Sequence, residues 1–349
     1  MNNAILIMAG GSGQRFWPLS TQERPKQLLS LLSERTMIRE TVDRVLPLIN
    51  TDRIFIATNA TQSKAIMSEL PFIPKKNIII EPVFKDTAAA IGYASIYINH
   101  CYPDAVVIVL ASNHLIENEE CFRSVLRTAV QEAHNNSSIV TLGIKPNKPE
   151  TGLGYIEIIP NAERGCVVEA RRFCEKPCYE QAKEYMAQGN FLWNSGMFIF
   201  KIKTIMEEFK EYLPNHYQIL MQIQDYIEAD LWGESLADEI PFYFEAFEKT
   251  SIDLGIMEHS KVIKVIPSDF GWNDIGSFTS LEEIFEPNEN GTVCRAANIK
   301  ELNSRNNIII GTNKYIATIG IEDVVIVQTD DTILICKKDQ VQDIKKLLL

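Results

Sequence analysis

A glycine-rich turn and two cations near the start of the chain have the residue types needed to bind phosphate. The turn, Gly10–Gly13, directly follows an apolar run that predicts a buried strand at residues 4–9. Glycine lets backbone N–H groups approach an anion closely, and successive N–H groups can form a concave anion site. Arg15 and Lys26 add positive charge nearby. The pattern indicates a phosphate-binding loop, although a plain glycine turn beside two surface cations would contain the same residues.

The spacing of these residues excludes two common nucleotide-binding loops. A Walker A loop requires a lysine directly after its last glycine, but Gln14 follows Gly13 in this chain. The dinucleotide-binding loop requires a third glycine at the position that Phe16 occupies. A different class of phosphate site is therefore expected.

Polar residues also follow two other predicted strands. Strands and helices alternate along residues 4–144, which predicts an α/β fold with a doubly wound, mostly parallel, Rossmann-like sheet. Ligands of such sheets bind at the carboxyl ends of the strands. Glu81 ends one predicted strand, residues 77–81, and residues 111–114 follow another, so both are candidates for a ligand site. Taken alone, Glu81 would equally suit a solvated loop acid.

After residue 145 the predicted strands become shorter and more antiparallel in pattern. A polar turn cluster at residues 285–291 marks a boundary, and short apolar strands beyond it predict a small β domain. We therefore expect two domains, residues 1–285 and 286–349, with an amphipathic helix at residues 339–348 closing the second.

The composition limits the partners and the compartment. A net charge of −12 over 349 residues argues against a nucleic-acid partner, but not against a nucleotide substrate. Seven scattered cysteines without a CxxC pair indicate a reducing compartment. No apolar run reaches 18 residues and the first residues lack a signal-peptide pattern. These features predict a cytoplasmic protein with no membrane partner.

The opening string resembles the signature of the sugar-1-phosphate nucleotidylyltransferases. Within them it is most similar to the mannose-1-phosphate guanylyltransferases, also called GDP-mannose pyrophosphorylases. The string consists of residues 10–20 (GGSGQRFWPLS) and 24–27 (RPKQ). Three later strings match the family in the same order: residues 173–177 (FCEKP), 193–196 (WNSG) and 271–277 (GWNDIGS). The resemblance covers the chain from about residue 3 onward.

The resemblance implies a reaction and a set of ligands. GTP and mannose 1-phosphate would give GDP-mannose and pyrophosphate, with Mg²⁺ as cofactor, and the C-terminal domain would resemble a left-handed β-helix. The sugar phosphate is already an anion at neutral pH, so no general base is needed. Two alternatives remain: the same reaction on another sugar 1-phosphate such as a manno-heptose phosphate, or a poorly catalytic regulatory protein that binds nucleotide sugars. A homodimer is left open.

The family motifs also imply roles for individual residues. Arg15 and Lys26 would be catalytic, and both are expected to be exposed in the cleft. Asp274 and Asn113 would hold the metal. The residues implied for nucleotide binding are Leu6, Ala9, Gly10, Gly11, Ser12, Gly13, Glu81, Asp86, Ala89 and Ser112. The residues implied for sugar binding are Gly154, Glu157, Glu175, Lys176, Asn194 and Ser195.

The chain departs from the family pattern at three places. Asn113 replaces the aspartate that precedes the histidine in the family, which removes a negative charge that Mg²⁺ would favour. His114 itself is expected to pack or hydrogen-bond rather than to bind the metal. Lys85-Asp86 stands where the family has Arg-Asn, and Ala89 replaces a proline. These changes affect the metal site and the recognition of the base.

Overall fold

The computed structural model describes residues 2–11, 13–160, 162–228, 234–296 and 298–348, and the side chains of residues 234–239 are not described. The chain divides into two compact units. The first unit comprises Met1–Gly10, Val42–Ser112 and Ile116–Trp272. The second unit comprises Gly11–Thr41, Asn113–Leu115 and Asn273–Leu349. Across the described residues, no helix is both long and apolar enough to span a membrane.

The helices alternate with strands in the first part of the chain, as predicted. The α-helices of the described residues are α1 (Met37–Val45), α2 (Ala60–Glu69), α3 (Asp86–Cys101), α4 (Glu119–Asn136), α5 (Tyr179–Gln188), α6 (Ile202–Tyr212), α7 (Pro214–Glu228) and α8 (Glu234–Ala246). Shorter helical turns include the 3₁₀ segments Gln14–Phe16, Lys26–Leu28, Thr51–Arg53, Lys75–Asn77 and Phe278–Glu283, and the π-helix Asp253–Met257.

The strands fall into two groups along the chain. Those up to residue 273 are β1 (Asn3–Met8), β2 (Ile54–Asn59), β3 (Ile78–Glu81), β4 (Val106–Ala111), β5 (Leu115–Ile116), β6 (Ile139–Ile144), β7 (Tyr155–Glu157), β8 (Val168–Glu169), β9 (Arg172–Cys174), β10 (Phe191–Lys201), β11 (Ile263–Ser268) and β12 (Trp272–Asn273). The later strands are β13 (Val293–Arg295), β14 (Ile299–Leu302), β15 (Ile308–Gly311), β16 (Ile316–Ile319), β17 (Val324–Gln328) and β18 (Ile333–Lys337).

The first unit is built on a sheet with the strand order β3-β2-β1-β4-β10-β6-β11-β8. Strands β3, β2, β1 and β4 are parallel, and β11 is parallel to β6. Helices α3, α6 and α7 pack together, while α4 packs against β4, β6 and β10. This arrangement confirms the predicted α/β class with a mostly parallel, doubly wound sheet.

Strand β10 changes the sheet in a way that strand–helix alternation did not predict. It runs antiparallel between β4 and β6, so these two strands do not pair with each other. Most of its eleven residues are buried. A nearly continuous apolar run is typical of a strand covered on both faces, and this run places β10 in the centre of the sheet.

The C-terminal part of the second unit is a stack of short β-coils, which confirms the predicted small β domain. Strands β13, β15 and β17 pair in parallel, and β14 pairs with β16 in the same way. A parallel bridge joins Arg305 to Glu322, which are 17 residues apart in sequence. Strand β18 closes the stack antiparallel to β17. The predicted terminal helix forms as 3₁₀ turns over Lys338–Leu348 instead of an α-helix.

Candidate functional site

A cleft of about 370 Å³ in the second unit contains the candidate phosphate and metal residues. It brings together residues from the glycine-rich turn, from the 113–114 loop, from the 274–276 loop and from the C-terminal 3₁₀ segment. The lining residues are Gly13, Gln14, Arg15, Phe16, Lys26, Asn113, His114, Asp274, Gly276 and Lys345. Four residues that the sequence motifs singled out, Arg15, Lys26, Asn113 and Asp274, therefore share one cleft.

Gly13 has a backbone conformation and a packing that only glycine can adopt. Its φ is +62°, in the left-handed region where a side chain is strained. A Cβ at this position would lie 2.5 Å from the Lys26 Cβ and 2.7 Å from the Lys26 backbone nitrogen. The carbonyl of Gly13 accepts a hydrogen bond from the Ser20 hydroxyl at 2.7 Å. The glycine-rich turn therefore packs directly against Lys26, the first residue of the 3₁₀ segment Lys26–Leu28.

Lys26 is buried, which corrects the expectation that both catalytic cations are exposed. Its side chain packs against Gly13 and lies 5.4 Å from the centre of the Phe16 ring. The Lys26 ammonium donates a hydrogen bond to the backbone carbonyl of Asp274 at 2.9 Å. Burial, with a smaller contribution from Arg15 and against the opposing effect of the Asp274 carboxylate, lowers the Lys26 pKa to about 8. Arg15 is exposed, as expected.

The loop that carries Asp274 is tightly constrained. Ile275, a buried β-branched residue, has a φ of +46°, which costs about 1–3 kcal/mol and requires support from its surroundings. The backbone N–H of Ile275 donates to the Asn273 side-chain oxygen at 2.8 Å. A Cβ on Gly276 would lie 3.1 Å from an Asp274 carboxylate oxygen. The short, strained turn constrains the backbone around Asp274, and Gly276 leaves room for the carboxylate.

Asn113 and Asp274 supply a donor set that fits Mg²⁺. This ion is commonly held by one or two carboxylates together with substrate phosphates and water. One carboxylate and one amide oxygen in a cleft with phosphate-binding groups satisfy that pattern. Among the residues that the structure describes, no cluster of three or more His, Cys, Asp or Glu side chains could hold a metal by itself. A metal in this cleft would therefore depend on the substrates for further ligands.

In the first unit, Glu81 lies beside Gly10, two residues after the end of β1. A Cβ on Gly10 would be 3.5 Å from a Glu81 carboxylate oxygen. The carbonyl of Gly10 accepts from Asn59 Nδ2 at 3.5 Å, and the carbonyl of Ala9 accepts from Thr58 Oγ1 at 3.1 Å. These contacts tie the end of the β1 segment to β2 next to the Glu81 carboxylate.

Glu81 is only 6% exposed, which contradicts the alternative of a solvated loop acid. Burial, together with the nearby Asp86 carboxylate, raises the Glu81 pKa to about 7. Asp86 has a φ of +69° and accepts a hydrogen bond from the Thr87 backbone N–H at 2.8 Å. A carboxylate that has lost its water in this way gains strongly from N–H donors supplied by a ligand.

The other predicted nucleotide-binding residues occupy different environments. Leu6, Ala9, Ala89 and Ser112 are buried in the first unit, and the Ser112 backbone N–H donates to the Met8 carbonyl at 3.2 Å. Gly11 is exposed. Ser12 lies outside the described residues.

A polar network in the first unit joins three of the predicted sugar-binding residues. A Cβ on Gly154 would lie 2.6 Å from a Glu175 carboxylate oxygen, so the glycine leaves room for this acid. The Gly154 carbonyl accepts from the Asn194 backbone N–H at 2.8 Å. The Asn194 amide donates to Asp253 at 2.9 Å and accepts from the Thr141 hydroxyl at 3.2 Å. Carboxylate and amide groups grouped in this way suit the hydroxyls of a sugar.

The remaining predicted sugar residues have other partners. Lys176 forms an ion pair with Glu175 and has a φ of +45°. The Ser195 hydroxyl is buried and accepts from the Met197 backbone N–H at 3.4 Å. Glu157 pairs with Arg172 at 3.3 Å and accepts from Asn190 at 3.4 Å. For Ser195 and Glu157 a sugar-binding role stays a prediction.

Asp253 is a candidate site residue that was left out of the predicted set. It begins the π-helix Asp253–Met257, and such irregular turns are frequent at functional sites. Burial and the Glu175 carboxylate, partly opposed by Lys176, raise the Asp253 pKa to about 7. The only sequence signal for Asp253 is the string at residues 251–253 (SID), and this string does not indicate that Asn194 is its partner.

Comparison with known proteins is consistent with this geometry. Residues 4–291 match the family model of the nucleotidyl transferases. Residues 298–349 match the MannoseP isomerase/GMP-like beta-helix domain.

Individual relatives extend over almost the whole chain. The mannose-1-phosphate guanylyltransferase ManC of Salmonella typhimurium is 36% identical, with 98% of this chain and 72% of that protein covered. The mannose-1-phosphate guanylyltransferase of Escherichia coli K12 is 35% identical with the same coverage. A crystal structure described as a mannose-1-phosphate geranyltransferase from Thermus thermophilus superposes with a TM-score of 0.87. It is 28% identical and covers 100% of this chain and 98% of that one. The chain therefore belongs to the nucleotidyl transferase family, among the mannose-1-phosphate guanylyltransferases.

Proposed function

We propose that this chain is an enzyme that transfers a guanylyl group from GTP to mannose 1-phosphate, with GDP-mannose and pyrophosphate as products. The observation that carries the proposal is the cleft in which Gly13, Arg15, Lys26 and Asp274 meet. It has cations for phosphate and a carboxylate for a metal, and its described lining residues include no serine, threonine or cysteine that could act as a nucleophile. The names of the relatives supply the substrates.

In the proposed mechanism, a phosphate oxygen of mannose 1-phosphate attacks the α-phosphorus of GTP, and the bond to pyrophosphate breaks. The attacking phosphate is an anion at neutral pH, because its second ionisation lies near pH 6. Catalysis is then a matter of positioning the two substrates and neutralising charge. Lys26, which is fixed by Asp274, stabilises charge near the α-phosphate. Arg15, at the exposed side of the cleft, neutralises the pyrophosphate.

Mg²⁺ is the proposed metal, held by Asp274 and Asn113 together with substrate oxygens. When bound, it would supply charge neutralisation to the phosphates. The residues of the chain that act without it are the backbone of Gly13 and the two cations, which bind and orient the phosphate groups.

Recognition of the base and the sugar is assigned to residues of the first unit. The buried Glu81 carboxylate accepts from the ring N–H and the exocyclic amine of guanine, two donors that match its two oxygens. The Glu175 and Asn194 side chains, with Asp253 behind the amide, bind mannose hydroxyls, and Lys176 contributes a cation for the sugar phosphate.

The proposal includes further expectations that follow from the family and the composition. The protein acts in the cytoplasm, has no nucleic-acid partner, and divides functionally into residues 1–285 and 286–349. A homodimer is compatible with these roles.

The proposal is tested by measuring pyrophosphate release with Mg²⁺ across a panel of nucleoside triphosphates and sugar 1-phosphates. We expect GTP to exceed UTP and dTTP, and mannose 1-phosphate to exceed glucose 1-phosphate and manno-heptose 1-phosphate. If dTTP with glucose 1-phosphate were the best pair, the proposed substrates would be wrong. Tight binding of GDP-mannose without turnover of any pair would instead identify a regulatory protein.

A further inference from the structure

A third cation lines the phosphate cleft, and it comes from the far end of the chain. Lys345 lies in the 3₁₀ segment Lys338–Leu348 and borders the same 370 Å³ cleft as Arg15 and Lys26. The only acid among the lining residues is Asp274. The charged side chains at the cleft are therefore three cations and one anion.

The geometry of the segment fixes which side chain enters the cleft. In a 3₁₀ helix, side chains three residues apart lie on the same face. Val341 and Ile344 share one such face and are buried in the apolar cluster that contains Phe16. The segment is also held at its start, where the Lys338 backbone N–H donates to the Asp323 carbonyl at 3.0 Å. Lys345 follows Ile344 directly, so this anchoring places it at the edge of the cleft.

The neighbouring lysine lies on another face. Lys346 pairs with Asp343 at 2.8 Å, three residues earlier on the same face of the 3₁₀ segment. Both of these side chains are largely exposed, and neither lines the cleft. The chain thus offers two adjacent lysines of which only Lys345 borders the phosphate cleft.

The position of the segment indicates which phosphate group Lys345 meets. The segment Lys338–Leu348 packs against the 3₁₀ turn Gln14–Phe16, which carries Arg15. Lys345 therefore enters the cleft on the side of Arg15. In the proposed reaction, Arg15 neutralises the pyrophosphate, whose charge grows as it leaves. The ammonium of a lysine is carried on a flexible four-carbon stem, so that of Lys345 can stay in contact with the pyrophosphate as it leaves.

We propose that Lys345 binds the pyrophosphate portion of the nucleotide and the pyrophosphate product, together with Arg15. The identity of the anion as pyrophosphate rests on the proposed function. It gives the C-terminal β region a direct part in substrate binding, in addition to any structural role.

The experiment is calorimetric titration of the full chain with inorganic pyrophosphate in the presence of Mg²⁺, paired with kinetics of the reverse reaction. Lys345→Ala should weaken pyrophosphate binding and raise its KM by about tenfold, the loss of one charge-assisted contact. The KM for GDP-mannose should change less than about twofold in this variant, since Lys345 is assigned to the pyrophosphate side. Lys345→Arg should restore most of the affinity, because the charge is retained.

Lys346→Ala is the matched control, with the same side chain removed one residue away. It should leave pyrophosphate affinity unchanged, and thermal unfolding should show all three variants folded. If Lys345→Ala and Lys346→Ala bind pyrophosphate equally well, or if Lys345→Arg fails to restore affinity, the inference is overturned. A natural chain that releases no pyrophosphate from GTP and mannose 1-phosphate would instead overturn the proposed function.

Discussion

Lys26 occupies the space that a side chain on Gly13 would need. The distances of 2.5 Å and 2.7 Å from a Cβ on Gly13 to the Lys26 Cβ and backbone nitrogen leave no room for any other residue. The glycine therefore serves the position of the lysine in addition to exposing backbone N–H groups to phosphate. This explains why the two parts of the opening motif, residues 10–20 and 24–27, act as one structural element.

Gly13→Ala should consequently displace Lys26 and lower both stability and turnover. The positive φ alone costs about 1–2 kcal/mol for a residue with a Cβ, and the collision with Lys26 adds to that cost. We expect a loss of at least about 2 kcal/mol in the free energy of unfolding, measured by urea denaturation.

Gly320→Ala separates the two causes. Gly320 has a φ of +65°, but a Cβ there would meet no atom within 4 Å. This variant should lose only the backbone part, about 1–2 kcal/mol, and keep normal turnover. Equal losses in the two variants would show that the contact with Lys26 does not matter.

Lys26→Met should reduce turnover by at least about 100-fold, because it removes a preorganised charge while filling the volume of the lysine stem. Arg15→Ala, at an exposed position, should reduce turnover by a similar factor without loss of stability. Steady-state kinetics and thermal unfolding measure both effects. Near-normal turnover in a folded Lys26→Met protein would refute the proposed role of the ammonium.

The pH dependence of kcat/KM for GTP should follow the shifted pKa values of Glu81 and Lys26. Glu81 must be ionised to accept from guanine, so kcat/KM for GTP should rise with pH up to about 7, the raised pKa of this acid. Lys26 must be protonated, so kcat/KM should fall above about 8, the lowered pKa of this cation. A bell-shaped profile between these values is expected from initial rates at low GTP concentration.

Asp86→Asn and Glu81→Gln test the acidic side of this profile. Asp86 raises the Glu81 pKa, so Asp86→Asn should move the rise to lower pH. Glu81→Gln should abolish the rise and lower kcat/KM for GTP, because an amide offers guanine only one acceptor oxygen. An acidic limb that persists unchanged in Glu81→Gln would belong to another group.

The sequence predicted the sheet and the content of the cleft better than it predicted their local geometry. Residue types and motif order were enough to group Arg15, Lys26 and Asp274. The burial of Lys26 was not predictable, because its partner is a backbone carbonyl 248 residues away, whose position depends on the fold and not on a side chain. The central position of β10 was not predictable either, because several apolar runs in the sequence could equally have been the strand that is covered on both faces. Lys345 had no signal, since one lysine in a polar segment resembles any other.

The sugar network gives a prediction that is separate from the phosphate cleft. Gly154→Ala would place a Cβ 2.6 Å from the Glu175 carboxylate and displace this acid from its position next to Gly154. We expect KM for mannose 1-phosphate to rise by about tenfold with KM for GTP nearly unchanged, as for the loss of a hydrogen bond to a charged group. Gly152→Ala is a control, since its Cβ would lie 3.2 Å from the flexible end of Glu150. An equal rise in both Michaelis constants would contradict the assignment.

Asn113 gives the sharpest test of the metal site. If Mg²⁺ lies between Asn113 and Asp274, Asn113→Asp adds one negative charge beside a divalent cation. Charges about 4 Å apart interact by about 4 kcal/mol per unit charge at an effective dielectric of about 20, of which desolvation removes a part. Asn113→Asp should therefore lower the Mg²⁺ concentration for half-maximal turnover by at least about tenfold and raise the maximal rate.

Asp274→Asn should leave two neutral ligands and nearly abolish metal-dependent turnover. A Mg²⁺ titration of the three proteins decides the matter: if the natural chain and Asn113→Asp respond identically, Asn113 only shapes the loop after β4, and Asp274 and the substrate phosphates hold the metal.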